Sequence, residues 1–388
     1  MEYTTEAGLA ERVELKSLAA RFAELTDQRQ RRGIRYPLVP LLVLIVLAKL
    51  CGADKPSAIA DWVSERTETL KQALGLTWKR MPHAATYRRI LAAGMRLDEV
   101  EQTAREFLAG LKVTAEEVLA MDGKSLRGTI PTGETQGAHL LSICQVSNCA
   151  VLGQTEVAST ENEISAAPRL IAQVEVRGQT LTGDALLAQR KLSAQIVEAG
   201  GDYLWIIKAN HPALRAEIEL HFRAARLPAC FPAEDFRTHT TLEKGHGRIE
   251  QRTLTASTGL TGYLDWPYLQ QVFELKRERF ICRTGERHTE TVYGLTSHTV
   301  AKADAARLLH LNRSHWGIEN GLHYRRDVTF GEDRCRMKSK TAAHALAVFN
   351  NLAIGLIAHA GWRNAAQARR HYDANFEKAL RLILESPS

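Results

Sequence analysis

The stretch TLTGDALLAQRKLSAQIVEAGGDYLWIIK, residues 180–208, decides the fold class. Thr180–Thr182 leads as a short strand into Gly183–Asp184. Ala188–Ala199 then places its apolar residues at helical spacing and stops at Gly200–Gly201, where glycine takes up the left-handed backbone that ends helices. Tyr203–Lys208 (YLWIIK) is short, aromatic and branched, and reads as a strand. Strand, helix and strand in this order make a crossover unit of an α/β sheet.

Working outward, the apolar run Val118–Met121 ends at Asp122. His139–Val146 and Val151–Ala158 read as strands around a turn at Ser147–Asn148, and Ile164–Val176 reads as a helix. The whole is a mixed α/β sheet with crossover connections. Residues 228–300 differ in character. Short β-prone runs (Arg248–Leu254, Gln271–Leu275, Phe280–Cys282, Thr289–Leu295) are broken by Gly and Thr, which predicts a β-rich insertion. The chain then turns helical at Lys302–His310, Trp316–Val328 and Ala342–Ala360. Ahead of the sheet, helical spacing recurs in Leu15–Leu25, Leu38–Leu50, Ala58–Val63 and Val100–Leu111, with breaks at Gly33, Cys51–Gly52, Gly75 and Pro82. The expected division is a helical N-terminal domain (1–112), a first part of the α/β core (113–227), the β-rich insertion (228–300) and a C-terminal helical part (301–388).

Bulk properties bound the function. The 388 residues are 45% hydrophobic and 24% charged, a globular balance that excludes wholesale disorder. A net charge of +7 favours an acidic partner such as nucleic acid. The six cysteines are scattered without a CxxC pair, as expected of reduced thiols in a cytoplasmic protein. The opening MEYTTEAGLAERVELK lacks the basic-then-apolar order of a signal peptide. Tyr36–Ala48 is uncharged but falls short of the roughly 20 residues of a membrane span, which predicts a buried helix and no membrane.

Two basic clusters free of acids stand in the helical region. Residues 28–35 hold Arg31 and Arg32 among four arginines, and residues 78–90 hold Lys79, Arg80, Arg88 and Arg89. They read either as a solvated helical face or as a small DNA-binding domain with Ala84–Leu91 entering a groove.

The chemistry-bearing residues are acids. Asp122 and Asp184 each follow a predicted strand at its carboxyl end, the edge where α/β sheets build their sites. Two such carboxylates suit Mg²⁺, a hard cation that takes oxygen ligands. Each alone also fits a turn or a helix N-cap. In HWGIENGLHYRRDVTFGED (315–333), His315, Glu319 and His323 share one face of a helix. That face reads as a salt-bridged surface, as an acid lying across a phosphate backbone, or as a zinc site.

Four stretches carry a resemblance: AMDGKSLRG (120–128), TGDALLAQR (182–190), GGDYLWIIKANHP (200–212) and HWGIENGLHYRRDVTFGED (315–333). With RRGIRYPLVPLLVLIVLAKLCG (31–52) ahead of them, the chain resembles the DDE transposases of bacterial insertion sequences, specifically the H-repeat-associated ISAs1 family related to the IS4 group. The resemblance implies a ribonuclease-H-like core and catalytic, metal-binding acids at Asp122, Asp184 and Glu319. It implies two Mg²⁺ (or Mn²⁺) ions, and double-stranded DNA as partner, both transposon-end inverted repeats and target. A homodimer on DNA and a bacterial, nucleoid-associated location follow by the same analogy. Lys124, Arg127, His315, Arg325 and Arg326 are then expected to contact DNA, with Arg31, Arg32, Arg88 and Arg89 from the helical region. The IS4-type signature Tyr, Arg, Glu, Lys finds Asn312, His315, Glu319 and Arg326 at its positions. The reaction implied is strand cleavage followed by strand transfer. The alternative is a transposase-derived protein that binds DNA without cutting it.

Overall fold

The structure is a computed structural model that describes residues 14, 16–32, 34–111, 118–224, 235–337 and 339–385. The break at Gly33, Cys230 and the predicted divisions at 112/113 and 227/228 lie outside the described residues. The chain forms two compact units. Met1–Thr114, Gly123–Ala158 and Glu319–Ser388 make the first; Ala115–Asp122 and Ser159–Ile318 make the second.

Along the chain, the first unit opens with helices α1 (Leu18–Phe22), α2 (Leu38–Leu50), α3 (Pro56–Glu65), α4 (Thr67–Leu74), α5 (Ala84–Arg89) and α6 (Leu97–Ala109). A π-helical turn, Ile90–Gly94, extends α5. Strand β1 (Val118–Leu126) gives its first half to the second unit and its remainder to the first. The hairpin β2 (Ala138–Gln145) and β3 (Val151–Val157) follows in the first unit. The second unit continues with α7 (Glu163–Ile171), β4 (Thr180–Gly183), α8 (Arg190–Glu198), β5 (Asp202–Ile207) and α9 (Pro212–Ala224). Strands β6 (Arg237–Gly245), β7 (Arg248–Ser257), β8 (Gln271–Ile281) and β9 (Arg287–Thr296) then precede α10 (Ala305–Ser314). Helices α11 (Lys340–His359), α12 (Ala365–Ala374) and α13 (Phe376–Leu384) return to the first unit.

In the second unit the strands run in the order β1-β4-β5-β9-β8-β7-β6. β1, β4 and β5 are parallel neighbours, as the crossover reading requires. The β-rich stretch is an antiparallel meander whose last strand, β9, pairs with β5, so it extends the same sheet.

The first unit is built on α2. Every residue of this helix except Val39 is buried. A helix apolar on all sides must be covered on all sides, and the N-terminal helices do not suffice. C-terminal α11 and α13 pack on it. Phe22 meets Phe349 edge-on at 6.3 Å, and Lys49 Nζ donates to Asn350 Oδ1 at 2.6 Å. The N- and C-terminal helices therefore share one core, which linear division of the sequence does not anticipate. Among the described residues α11 is long and apolar enough to cross a membrane, but 89% of its most apolar stretch is buried inside the protein. It is a core helix.

Candidate active site

Two of the three predicted acids lie side by side. In the parallel pairing of β1 with β4, Met121 is the register partner of Gly183. Asp122 and Asp184 are the next residues on their strands, and neighbouring strands run about 4.8 Å apart. Asp122 is half-buried. The Asp184 side chain is 54% exposed, so both carboxylates can reach solvent or a ligand.

The sequence around Asp184 folds as it does for identifiable reasons. Asp184 leaves the strand with φ −61° and ψ 160° and caps a 3₁₀ turn, Ala185–Leu187, its Oδ1 accepting from Ala185 N at 2.7 Å. Gly183 has to be glycine. A Cβ there would stand 2.9 Å from Trp205 Cζ3 and 3.2 Å from Leu187 Cβ. Trp205, on neighbouring β5, is fully buried and donates from Nε1 to Ser193 Oγ at 3.0 Å, so it cannot readily give way. The residues after β5 hold the turn. Lys208 Nζ lies 3.3 Å from Asp184 Oδ1, Asn210 Nδ2 donates to Ala185 O at 2.6 Å, and His211 Nε2 lies 2.7 Å from Ala188 O. The segment KANHP is thus a clamp on the loop that presents Asp184. Lys208, Asn210 and His211 were not singled out from sequence, although their motif was.

His315 is brought to the same strands: its Nδ1 lies 3.2 Å from Thr182 Oγ1, two residues before Asp184. Glu319, four residues further along the chain, sits exposed in a π-helical turn, Ile318–His323, followed by a second such turn at Arg325–Thr329. The regular α-helix expected over 316–328 is therefore widened into π-turns. Gly321 lies against Cys149, where a Cβ would come 2.5 Å from Sγ. π-turns are rare and recur at functional sites.

Two predicted phosphate contacts are corrected. Arg326 is fully buried. Its Nη2 pairs with Glu332 Oε2 at 2.8 Å, its Nε donates to the same carboxylate, and its Nη1 donates to Gln154 Oε1 at 3.4 Å. Burial alone would raise the Glu332 carboxyl. The Arg326 charge and hydrogen bonds from Arg326 and Asn350 outweigh it and hold the group below the usual carboxylate range. Lys124 is also buried, its Nζ 2.5 Å from Asp327 Oδ1 and 3.8 Å from Asp333 Oδ1. A cation already desolvated and paired inside the protein is not available to DNA. Both residues instead anchor the segment that follows Glu319.

The remaining predicted contacts are accessible. Arg127 is 78% exposed, with Nε 3.9 Å from Asp333 Oδ2. Arg325 is half-buried and donates from Nη2 to Arg363 O at 3.3 Å. Arg31, Arg32, Arg88 and Arg89 are exposed. Arg32 and Arg89, from the two separate basic clusters, line one groove of about 940 Å³.

Among the described residues no three His, Cys, Asp or Glu side chains stand close enough to share a metal ion. The donor chemistry of the aspartate pair nonetheless fits a hard divalent cation, which uses one or two carboxylates and completes its shell with water and phosphate oxygens.

Asp184 stands just past the carboxyl end of β4, whereas β1 continues to Leu126 and leaves Asp122 mid-strand, at the point where its parallel pairing with β4 ends. The two acids define a carboxylate site on an α/β sheet, and comparison with known proteins specifies the class further. The chain belongs to the transposase DDE-domain family: residues 114–356 match the profile described as "Transposase DDE domain", and residues 19–108 match the one described as "DDE_Tnp_1-associated". It is similar to the transposase candidate YncI of Escherichia coli O157:H7, with 28% identity over 88% of this chain and 87% of that protein. It is likewise similar to the H repeat-associated transposase candidate YhhI of Escherichia coli K12, with 27% identity over 89% of this chain and 91% of that protein. Among solved structures, a piggyBac transposase synaptic complex with hairpin DNA aligns with 98% of this chain and 80% of its own, at a TM-score of 0.44 and 10% identity.

Proposed function

We propose that the protein is an insertion-sequence transposase that cuts DNA at terminal inverted repeats and joins the freed ends to a target. The α/β core is read as ribonuclease-H-like, with the β6–β9 meander as its insertion. The observation that carries the chemistry is the register of β1 and β4, in which Asp122 and Asp184 follow directly on the last paired residues, Met121 and Gly183. Family membership supports Glu319 as the third acid.

In this reading the three carboxylates hold two Mg²⁺ or Mn²⁺ ions. When bound, such ions activate an attacking oxygen and stabilise a leaving one in an in-line displacement at phosphorus. The chain's own part is positional. Trp205 over Gly183, and Asn210 on Ala185 O, fix the backbone from which Asp184 projects. Lys208 steadies the Asp184 carboxylate and stands where an incoming phosphate would need a cation. Arg127 and Arg325 offer further cations to DNA. Two ends must be cut together, so a dimer on DNA is proposed, working at the bacterial nucleoid.

The test is incubation of the protein with duplexes carrying the inverted repeats that flank its gene, with and without Mg²⁺. The reading predicts Mg²⁺-dependent strand cleavage leaving a 3′-OH. Specific binding of those duplexes without cleavage in either Mg²⁺ or Mn²⁺ would replace it with the DNA-binding alternative.

A further inference from the structure

The two basic clusters of the helical region, residues 28–35 and 78–90, are far apart in sequence, yet both line the groove of about 940 Å³ in the first unit. Arg32, Arg35, Arg80 and Arg89 face it, and no acidic residue does. Arg29 also borders it, but Asp27 at 2.6 Å neutralises that charge. Tyr36 and His83 supply hydrogen-bonding edges.

A second cavity of about 480 Å³ lies on the other side of α5. It is lined by Lys55, Arg88 and Arg336, again without an acid. Ala92 borders both cavities, and the neighbouring residues Arg88 and Arg89 turn one to each. Lys55 is the N-cap residue of α3, and Ser339, also on the wall, is the N-cap of α11. Neither helix has an acid in its first turn, so two positive helix ends add to the three side chains.

We infer that the two cavities are one continuous track for the phosphate backbone of duplex DNA, running from the arginines of 32–35 across α5 to Arg336. Arg32, Arg35, Arg80, Arg88, Arg336 and Lys55 are exposed, and among the described residues no carboxylate pairs with any of them. Unpaired cations along a concave wall raise the local potential and attract a polyanion. Single strands use a succession of aromatic stacking platforms, whereas Tyr36 is the one tyrosine, phenylalanine or tryptophan among the described residues on the two walls and is itself packed edge-on against Trp78 at 4.8 Å, which favours the duplex. Arg336 lies in the segment whose preceding residues, Arg326 and Glu332, are buried in the same unit, so the far end of the track is held to the segment that follows Glu319. The inference rests on the proposed function for its partner and adds the surface that the partner occupies.

The experiment measures affinity of the full chain for a fluorescent duplex of arbitrary sequence by anisotropy between 50 and 200 mM salt. Three triple variants each remove three charges. They are Arg32→Gln/Arg35→Gln/Arg80→Gln at one end, Lys55→Gln/Arg88→Gln/Arg336→Gln at the other, and Lys191→Gln/Arg215→Gln/Arg370→Gln as a control on exposed cations elsewhere. Each phosphate contact contributes about 0.9 to the log–log salt slope. Each track variant should therefore lower the slope by about 2–3 with an unchanged melting temperature, and the control should not. A track variant whose slope falls no further than the control's overturns the track alone. Absence of salt-dependent DNA binding by the unmodified protein overturns the proposed function with it.

Discussion

Replacing Arg326 by Met separates a structural role from a DNA-contacting one. The guanidinium is fully buried and spends its donors on Glu332 and Gln154. Removing it strands the Glu332 carboxylate, itself 6% exposed, with Asn350 Nδ2 at 2.8 Å as the remaining side-chain donor among the described residues. Breaking a buried pair in this way costs about 3–5 kcal/mol. That corresponds to a fall in melting temperature on the order of 10 °C. Glu332→Met should cost as much, because it leaves a buried cation. The double variant Arg326→Met/Glu332→Met leaves no buried charge and only neutral partners to satisfy, at about 1–3 kcal/mol each. It should be more stable than either single variant. The assay is urea unfolding of all four proteins, with DNA affinity measured well below each melting point. The reasoning fails if Arg326→Met melts like the unmodified protein while losing DNA affinity, or if the two costs simply add.

Three further outcomes follow from the same geometry. Gly183→Ala forces a Cβ against Trp205 and Leu187, an overpacking that costs about 1–3 kcal/mol; if that strain displaces Asp184 in the transition state, cleavage should fall by roughly 5- to 150-fold, at one factor of ten per 1.4 kcal/mol, with part recovered in Gly183→Ala/Trp205→Phe in the same cleavage assay. Asn210→Ala releases Ala185 O and should slow cleavage without changing duplex affinity in anisotropy, because it loosens the Asp184 turn and not the DNA-facing cations. Lys49 is fully buried, and burial drives its ammonium down from 10.5 to about 8, against the opposing pull of Asp54. Below pH 8 both states are protonated and the fold carries the whole cost of the buried charge. Between pH 8 and 10.5 the folded state releases the proton first, so stability relative to Lys49→Met should rise by about 3 kcal/mol across that window, read by urea unfolding at each pH.

What was legible in the sequence followed from local pattern. The apolar run ending at Asp122, and YLWIIK after the glycine pair, are strong because buried parallel strands are mostly apolar, and TLTG before Asp184 was legible as a strand beside them. Tyr36–Ala48 was legible as a buried helix because it is uncharged along its length. β6 was missed because RTHTTLEKG is the outer strand of the sheet and is exposed along most of its length. β8 was read as two short runs because LysArgGlu at 276–278 interrupts it where the meander leaves the core. The π-turns around Glu319 were missed: within them Gly321 packs against Cys149, a tertiary contact that apolar periodicity does not carry. Arg326 and Lys124 show a further limit: a buried ion pair and a phosphate ligand demand the same residue type, and only burial tells them apart. The basic clusters were legible as clusters, but their meeting in one groove depends on how the helices pack.

The central claim is that Asp122, Asp184 and Glu319 act as one metal-holding set. Asp122→Asn, Asp184→Asn and Glu319→Gln each remove a charge at an exposed or half-buried position and leave the fold's buried pairs untouched. With inverted-repeat duplexes in Mg²⁺, every one of the three should abolish cleavage while retaining end binding. Full cleavage by any one of them would contradict the claim and remove that residue from the site.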